Sequence, residues 1–305
     1  MPGGALIVGY GSIGARHERL LRLLDQETAV VTAQPTTAVR TYRNLSEAST
    51  AEAPGYVVIA NDTARHHDSL AELAAGGYTG TVLIEKPLFD RVRALPGHGF
   101  AACYVGYNLR FHPVIQALAR HLADEAVVSV QAYVGQYLPD WRPDRDYRAS
   151  SSASKARGGG VLRDLSHELD LLTWLFGPWR RLAAVGGRYG SLEIDSDDSW
   201  SLLVELDRCP AATLQLNYLD RVGRRRLLVN TTTHSYEADL VAGTLVCDNH
   251  EERFENERDA TYLAEHRAAL AGDGTTLCSL EEGLAVVAMV EAAERAARDG
   301  RWVSA

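Results

Sequence analysis

The sequence predicts an α/β chain in two unlike parts, a parallel sheet wrapped by helices and then a region built on a mostly antiparallel sheet. Two patterns lead there. Up to about residue 107, short apolar runs alternate with segments of helical period, an arrangement that yields a parallel sheet covered on both faces. From about 181 to 248, segments such as SWSLLVEL, ATLQLNYL and RRRLLVNTTT alternate apolar and polar residues with no helix between them, which is the signature of antiparallel strands. The change falls after Pro113. The expected domains are therefore 1–113 and 114–305, with a last helix over about 280–298 that can pack back on the first.

The elements follow in order. ALIVG at 5–9 is a buried-type strand, and Ile13, Leu20, Leu21 and Leu24 then share one face of a helix. Further strands are expected at 28–33, 55–60, 81–85 and 100–107, and HHDSLAELAAGG between them reads as a helix closed by glycines. VIQALARHLA is a helix that leads into the strand VVSVQAYVGQY. An irregular polar stretch over 139–160 carries serines at 150, 151, 152 and 154, and long polar loops of this kind are often functional. VLRDLSHELDLLTWLFG then reads as one apolar helix, and the closing helix has acidic residues in its first turn and arginines in its last, matching its dipole.

Composition narrows the function. Across 305 residues the formal charge is −9, so neither nucleic acid nor an anionic membrane is an expected partner. Cys103, Cys209, Cys247 and Cys278 are scattered without metal-ligand spacing, as buried thiols in a reducing, cytoplasmic setting would be. No metal site is expected. The start of the chain lacks the basic region and cleavage site of a signal peptide, and no apolar run approaches the length of a membrane span.

Three stretches carry chemistry. GYGSIG places Gly9, Gly11 and Gly14 in the GxGxxG spacing, after a strand and at the start of a helix. There the first glycine makes the turn, the second admits a pyrophosphate and the third lets helix and strand approach. The acidic residue that usually follows about 20 positions later to bind the adenosine ribose is missing, since no Asp or Glu lies between Glu27 and Glu47. Gln34, Thr36 or Thr37 can contact a ribose instead, and Arg40 or Arg43 a 2′-phosphate, so the cofactor is NAD or NADP. The competing reading of both arginines is a solvated helix face.

In GGGVLRDLSHELD, Asp164 and His167 stand three apart and share a helical face, with Asp170 close to the same side. Such a pair suits proton transfer, because imidazole titrates near working pH and a carboxylate orients it; taken alone it is more often a structural hydrogen bond. The third stretch is VLIEKPLFD. Among 31 basic residues only Lys86 and Lys155 are lysines. A lysine can shift its pKa and pass a proton along a relay, which arginine cannot. Lys86 also stands at the C-terminal end of an expected strand, the ligand-binding edge of a parallel sheet.

GYGSIGARH, NDTARHH, GGYTGTVLIEKPL, GYNLRFHP, GGGVLRDLSHELDLLTWLFGPW and EEGLAVVAMVEAAERAARDGRWV follow one another along essentially the whole chain. Together they resemble the Gfo/Idh/MocA family of NAD(P)-dependent sugar oxidoreductases. The resemblance implies a doubly wound Rossmann domain followed by an α/β domain with a large open sheet, the substrate lying between that sheet and the nicotinamide. It assigns Gly9, Gly11, Ile13 and Gly14 to the cofactor loop, which also holds Ser12, and Asn61, His66, Glu85, Lys86 and Asn108 to cofactor positions or its approach, beside the ribose-side candidates Gln34 and Arg40. Lys86, Asp164 and His167 match the catalytic group. Tyr107, Arg110, Trp141, Arg142, Tyr147, Arg148 and Lys155 sit on elements the family turns toward the sugar, where cationic groups suit a phosphorylated or nucleotide-linked sugar and Trp141 suits stacking. The resemblance further implies a cis Lys86–Pro87 bond and a homodimer or homotetramer formed through the C-terminal sheet.

Two departures stand out. The family commonly spaces its Asp and His four apart, and Asp62 replaces a usual proline. DLSHELD is nevertheless familiar from a branch associated with sialic-acid-like and nucleotide-linked sugars. The implied chemistry is hydride transfer between a sugar carbon and nicotinamide, with His167 as base oriented by Asp164 and Lys86 holding the hydroxyl; whether His167 or Lys86 takes the proton stays open. A reductase of a non-sugar substrate and a catalytically inactive nucleotide sensor are the competing readings.

Overall fold

The structure, a computed structural model, describes residues 3–36, 39–255 and 257–305. In chain order its elements begin β1 (Ala5–Val8), α1 (Ser12–Leu23), β2 (Thr28–Val31), β3 (Arg40–Tyr42), α2 (Leu45–Glu52), β4 (Tyr56–Ile59), α3 (His66–Ala75), β5 (Thr81–Ile84) and β6 (Ala102–Val105). Then come α4 (Pro113–His121), β7 (Val127–Gly135), α5 (Val161–Asp164), α6 (His167–Phe176), β8 (Trp179–Gly187), β9 (Ser199–Leu206), β10 (Cys209–Asn217) and β11 (Arg224–Thr231). The chain closes with β12 (Ser235–Asp239), β13 (Thr244–Cys247), β14 (His250–Arg253), α7 (Ala260–Ala271), β15 (Cys278–Ser279), α8 (Leu280–Asp299) and β16 (Val303–Ser304).

Two compact units result, Met1–Asn108 with Asp259–Val287, and Leu109–Arg258 with Ala288–Ala305. Residues 259–287 thus group with the first unit, whereas the sequence reading placed 114–305 in the second and let only a last helix over about 280–298 pack back on the first. The reason is local: α7 packs on α1, and β15 adds an antiparallel edge strand to β6.

The first unit holds a seven-stranded sheet ordered β15-β6-β5-β4-β1-β2-β3, parallel except for β15. Apart from β15 this is the doubly wound order of dinucleotide-binding folds. Strands β1, β4 and β5 are buried along their whole length, which explains why they read as unbroken Val/Ile/Leu runs. Strand β3 and helix α2 were not expected. The first is a three-residue edge strand, RTY, with little burial. The second starts at a local cap, where the Asn44 side chain accepts the Glu47 N–H at 3.0 Å.

The second unit holds a nine-stranded sheet ordered β14-β13-β12-β11-β7-β10-β9-β8-β16, antiparallel except where β10 runs parallel to β7. Helix α4 lies on β12 and β13, α5 on β9 and β10, and α6 on β7. The opposite face presents a lateral row, Glu237, Leu228, Gln131, Thr213, Leu203 and Ala183, in register across six strands. Within it Leu228 is 40% and Leu203 43% exposed.

The helix expected over VLRDLSHELDLLTWLFG is two helices. α5 ends at Asp164, α6 begins at His167, and Leu165–Ser166 form the joint. The two buried acidic residues of α6 are held by ion pairs. Arg110 clamps Asp170 with three contacts of 2.6–3.2 Å, and Arg225 Nε meets Glu168 Oε1 at 2.7 Å. Among the described residues no disulfide forms, and no helix is long and apolar enough to cross a membrane.

The Arg110–Asp170 pair supplies a stability test, since both residues are 1% exposed. Arg110→Met leaves a buried carboxylate without its clamp and should cost about 3–5 kcal/mol in urea unfolding, while adding Asp170→Leu should recover much of that loss.

Candidate active site

In the first unit the parallel register brings four strand ends to one level. Gly9 N donates to Val31 O, Ala60 N to Val8 O, Glu85 N to Ile59 O and Gly106 N to Ile84 O, all at 2.7–2.8 Å. Beyond those bonds the chain leaves the sheet, so the glycine loop, Asn61, Lys86, Tyr107 and Asn108 lie along one edge. This is the edge where doubly wound sheets bind ligands.

The three glycines of the loop do different work. Gly9 has φ +98°, and a Cβ there would meet Asn61 backbone at 2.6 Å; a Cβ on Gly14 would meet Gly9 O at 2.0 Å. Both are required by the protein's own packing. Gly11 is not: its φ is −75°, and a Cβ would meet nothing within 4 Å. It caps α1 without a side-chain hydrogen bond and leaves the first turn of the helix open, a setting that fits the pyrophosphate of a dinucleotide. Ser12 is exposed and Ile13 half-buried beside it.

Around this loop the hydrogen bonds tie neighbouring strand ends together. Asn61 Nδ2 donates to Ser69 Oγ at 2.9 Å. The buried His66 ring faces Asn61 O on one side and Pro87 O on the other, each at 3.1 Å. Burial holds its pKa below the ordinary value against the pull of those carbonyls. Lys86 is half-buried and its bond to Pro87 is cis. Glu85 points the other way, into the interior, where its Oε1 meets His17 Nε2 at 2.9 Å and its Oε2 accepts the Lys86 N–H at 3.1 Å. Burial raises the Glu85 pKa, but the His17 bond and nearby positive charge outweigh it and bring the carboxyl below its ordinary range. Tyr107 and Asn108 are buried, and Asn108 Nδ2 donates to Thr261 Oγ1 at 2.7 Å, joining the end of β6 to α7.

The ribose side is sparser. Gln34 is exposed, and its N–H donates to Thr32 Oγ1 at 3.0 Å; Thr36 is half-buried and Thr37 lies outside the described residues. Arg40 does not stand at the ligand edge. It pairs with Ala29 in the sheet, two residues back from that edge, and its guanidinium meets Glu27 and Glu52, each at 3.2 Å. Arg43 follows β3 at the correct edge, where Nη1 donates to Thr32 O at 3.2 Å.

In the second unit Asp164 and His167 flank the α5–α6 joint, and His167 is 8% exposed. The Asp164 carboxylate accepts a 2.6 Å bond from the Tyr218 hydroxyl. Burial, then the Asp164 charge, pushes that phenol well above its ordinary pKa, so it stays a donor. Trp141 packs edge-on against the Tyr218 ring, with centroids 5.2 Å apart. The structure therefore brings Asp164 and Trp141 together through Tyr218, a residue the sequence reading missed.

Asp197 was missed too. Its Oδ2 accepts Leu162 N–H at 3.0 Å and Trp200 Nε1–H at 2.8 Å, and burial raises its pKa despite those bonds. It also accounts for part of the glycine run, because Gly160 has φ +117° and a Cβ there would meet Asp197 Oδ1 at 2.2 Å.

The remaining sugar-side expectations divide. Arg110 is corrected: its guanidinium is buried on Asp170 and beside Trp174, so it holds α6 instead of facing a ligand. Arg148 is exposed but clamped by Asp146 and Glu193, each at 2.9 Å. The Tyr147 hydroxyl accepts Glu193 N–H at 3.2 Å. Arg142 and Lys155 are exposed. The stretch they occupy is shaped by three 3₁₀ turns, Leu138–Trp141, Tyr147–Ala149 and Lys155–Arg157.

Comparison with known proteins agrees with this architecture. Residues 115–237 match the GFO/IDH/MocA C-terminal domain. The chain is similar to D-apiose dehydrogenase of Paraburkholderia graminis, 28% identical over 87% of this chain and 76% of that protein. Among solved structures it resembles GenD2 from gentamicin A biosynthesis, in complex with NAD, with a TM-score of 0.80, 24% identity, and coverage of 99% of this chain and 96% of the other. It also resembles the WlbA dehydrogenase of Bordetella pertussis, in complex with NADH and UDP-GlcNAcA, with a TM-score of 0.82, 19% identity, and coverage of 99% and 97%.

The glycine loop separates fold from ligand binding. Gly11→Ala should cost no more than about 1 kcal/mol of stability, the price of a poorer N-cap, yet weaken dinucleotide binding by about tenfold or more. Gly14→Ala should instead lower the melting temperature sharply, because the new methyl must displace backbone. Thermal unfolding and cofactor fluorescence titration together check both.

Proposed function

We propose that this chain, a member of the Gfo/Idh/MocA family, is an oxidoreductase that transfers a hydride between a nicotinamide cofactor and a hydroxyl-bearing or keto carbon of a sugar. The observation that carries the reading is the pairing of Gly11, whose missing side chain serves nothing within the protein, with Lys86 on the same sheet edge. When bound, the nicotinamide supplies the hydride acceptor or donor. The protein's share is orientation and proton handling. Lys86 holds the reacting hydroxyl and stabilises the charge that develops on its oxygen. His167 takes the proton, with Asp164 as its orienting carboxylate.

NAD is the favoured cofactor, because Arg40 is committed to Glu27 and Glu52 and Arg43 to a backbone carbonyl. The sugar stacks on Trp141. A nucleotide-linked or phosphorylated sugar is favoured by the exposed cations Arg142 and Lys155, and WlbA, which is similar over its whole length, was solved with a nucleotide sugar. Absence of disulfides among the described residues suits a reducing cytoplasm.

Reduced cofactor formed from NAD or NADP, across a panel of free sugars, sugar phosphates and nucleotide sugars, tests this reading. The expected result is turnover of a sugar that falls about 10²–10³-fold in Lys86→Ala. Cofactor binding with no turnover across the panel would instead favour the nucleotide sensor, and turnover of non-sugar carbonyls alone the reductase.

The same reading includes a homodimer or homotetramer formed through the open face of the nine-stranded sheet, where Leu203 and Leu228 are exposed among Gln, Thr and Ala. Light scattering should find an oligomer that Leu203→Arg with Leu228→Arg reduces to monomer; an unchanged mass would place the contact elsewhere.

A further inference from the structure

Beneath the sheet edge of the first unit runs a buried chain of polar groups. The Tyr56 hydroxyl, on β4, lies 3.0 Å from His266 Nδ1 on α7. His266 Nε2 lies 2.9 Å from His17 Nδ1 on α1, and His17 Nε2 lies 2.9 Å from Glu85 Oε1 at the end of β5. The other carboxylate oxygen of Glu85 accepts the backbone N–H of Lys86. Tyr56, His266 and His17 are all 0% exposed and Glu85 is 6% exposed.

Burying four polar side chains is expensive unless every group finds a partner, and here the donors can run in a single direction. With both imidazoles neutral, Tyr56 O–H donates to His266 Nδ1, His266 Nε2–H to His17 Nδ1, and His17 Nε2–H to the ionised Glu85. Burial pushes His266 well below its ordinary pKa, which agrees with a neutral ring. Each ring nitrogen is used once. The arrangement ends on a carboxylate whose remaining oxygen grips the peptide that presents Lys86.

Such a network is not needed for stability, since an apolar set of similar volume fills a core at lower cost. What an apolar set cannot do is hold an ionised carboxylate against a chosen backbone N–H. The hydrogen bond between Glu85 and Lys86 is made by the Lys86 backbone amide, so it is the peptide presenting the Lys86 side chain that Glu85 holds.

We infer that His17 and His266 are positioning residues: they fix Glu85 as the acceptor of the Lys86 N–H and thereby fix Lys86 at the sheet edge. The inference rests on the reading of Lys86 as catalytic, but its structural half can be measured without turnover. The chain has only two lysines, so selective ¹⁵N-lysine labelling gives two backbone amide resonances, and Lys155→Arg identifies the one that belongs to Lys86.

In wild type the Lys86 amide should lie downfield and exchange slowly. His17→Leu should move that resonance upfield, leave Lys155 in place, and lower kcat by about 10- to 100-fold with cofactor affinity little changed. His17→Gln, whose amide N–H can still reach Glu85, should restore most of both. Tyr56→Phe, at the far end, should shift the same resonance slightly, and it serves as the test if His17→Leu does not fold. An unmoved Lys86 amide in His17→Leu, or in Tyr56→Phe where that variant stands in, overturns the inference. So does a moved amide with wild-type kcat, or a His17→Gln no better than His17→Leu. If Lys86→Ala itself keeps wild-type turnover, the catalytic reading of Lys86 is what has failed, and the amide shifts still report whether the clamp exists.

Discussion

Hydrogen bonding between parallel strands forces their ends to a common level, and the rest of the first unit depends on this. Four N–H groups, on Gly9, Ala60, Glu85 and Gly106, make the last ladder bonds of β1, β4, β5 and β6 to their neighbours. One residue later each chain is released from the sheet. Because side chains alternate along a strand, a slip of one residue in β5 would turn Lys86 inward and Glu85 outward. The buried partner of Glu85 on α1 and the half-exposed setting of Lys86 both follow from the register being what it is.

Electrostatics in the chain divide along residue type. Arginine is used where a planar, permanently charged fork must hold a carboxylate: Arg110 on Asp170, Arg163 on Glu294 and Arg225 on Glu168. These pairs stitch helices and strands of the second unit. Lysine appears twice, once on an exposed loop at 155 and once at the sheet edge at 86. A compact ammonium there is what the proposed role of Lys86 calls for, and the carboxylate behind it is held by imidazole in place of a fixed guanidinium.

Much of this was legible in the sequence where the signal is local. The fully buried strands β1, β4 and β5 announce themselves as apolar runs, and Gly9, Gly11 and Gly14 by their spacing. β3 was not legible, being three residues at an edge with little burial to leave a pattern. The break at Leu165–Ser166 was hidden because the apolar period continues through it. Site residues were misjudged, or their partners missed, where a partner is distant in the chain. Arg110 finds Asp170 sixty residues away, Asp164 meets Tyr218 across 54, and His17 meets His266 across 249. No spacing rule reaches over such separations. A cationic side chain on a promising element reads the same whether it faces solvent or an acid folded against it.

The most direct test of the central claim is a crystal structure of the protein with NADH bound. The account predicts the pyrophosphate at the start of α1 beside Gly11, and the nicotinamide ring within about 4 Å of the Lys86 ammonium. A dinucleotide bound elsewhere, or a nicotinamide remote from Lys86, would contradict it.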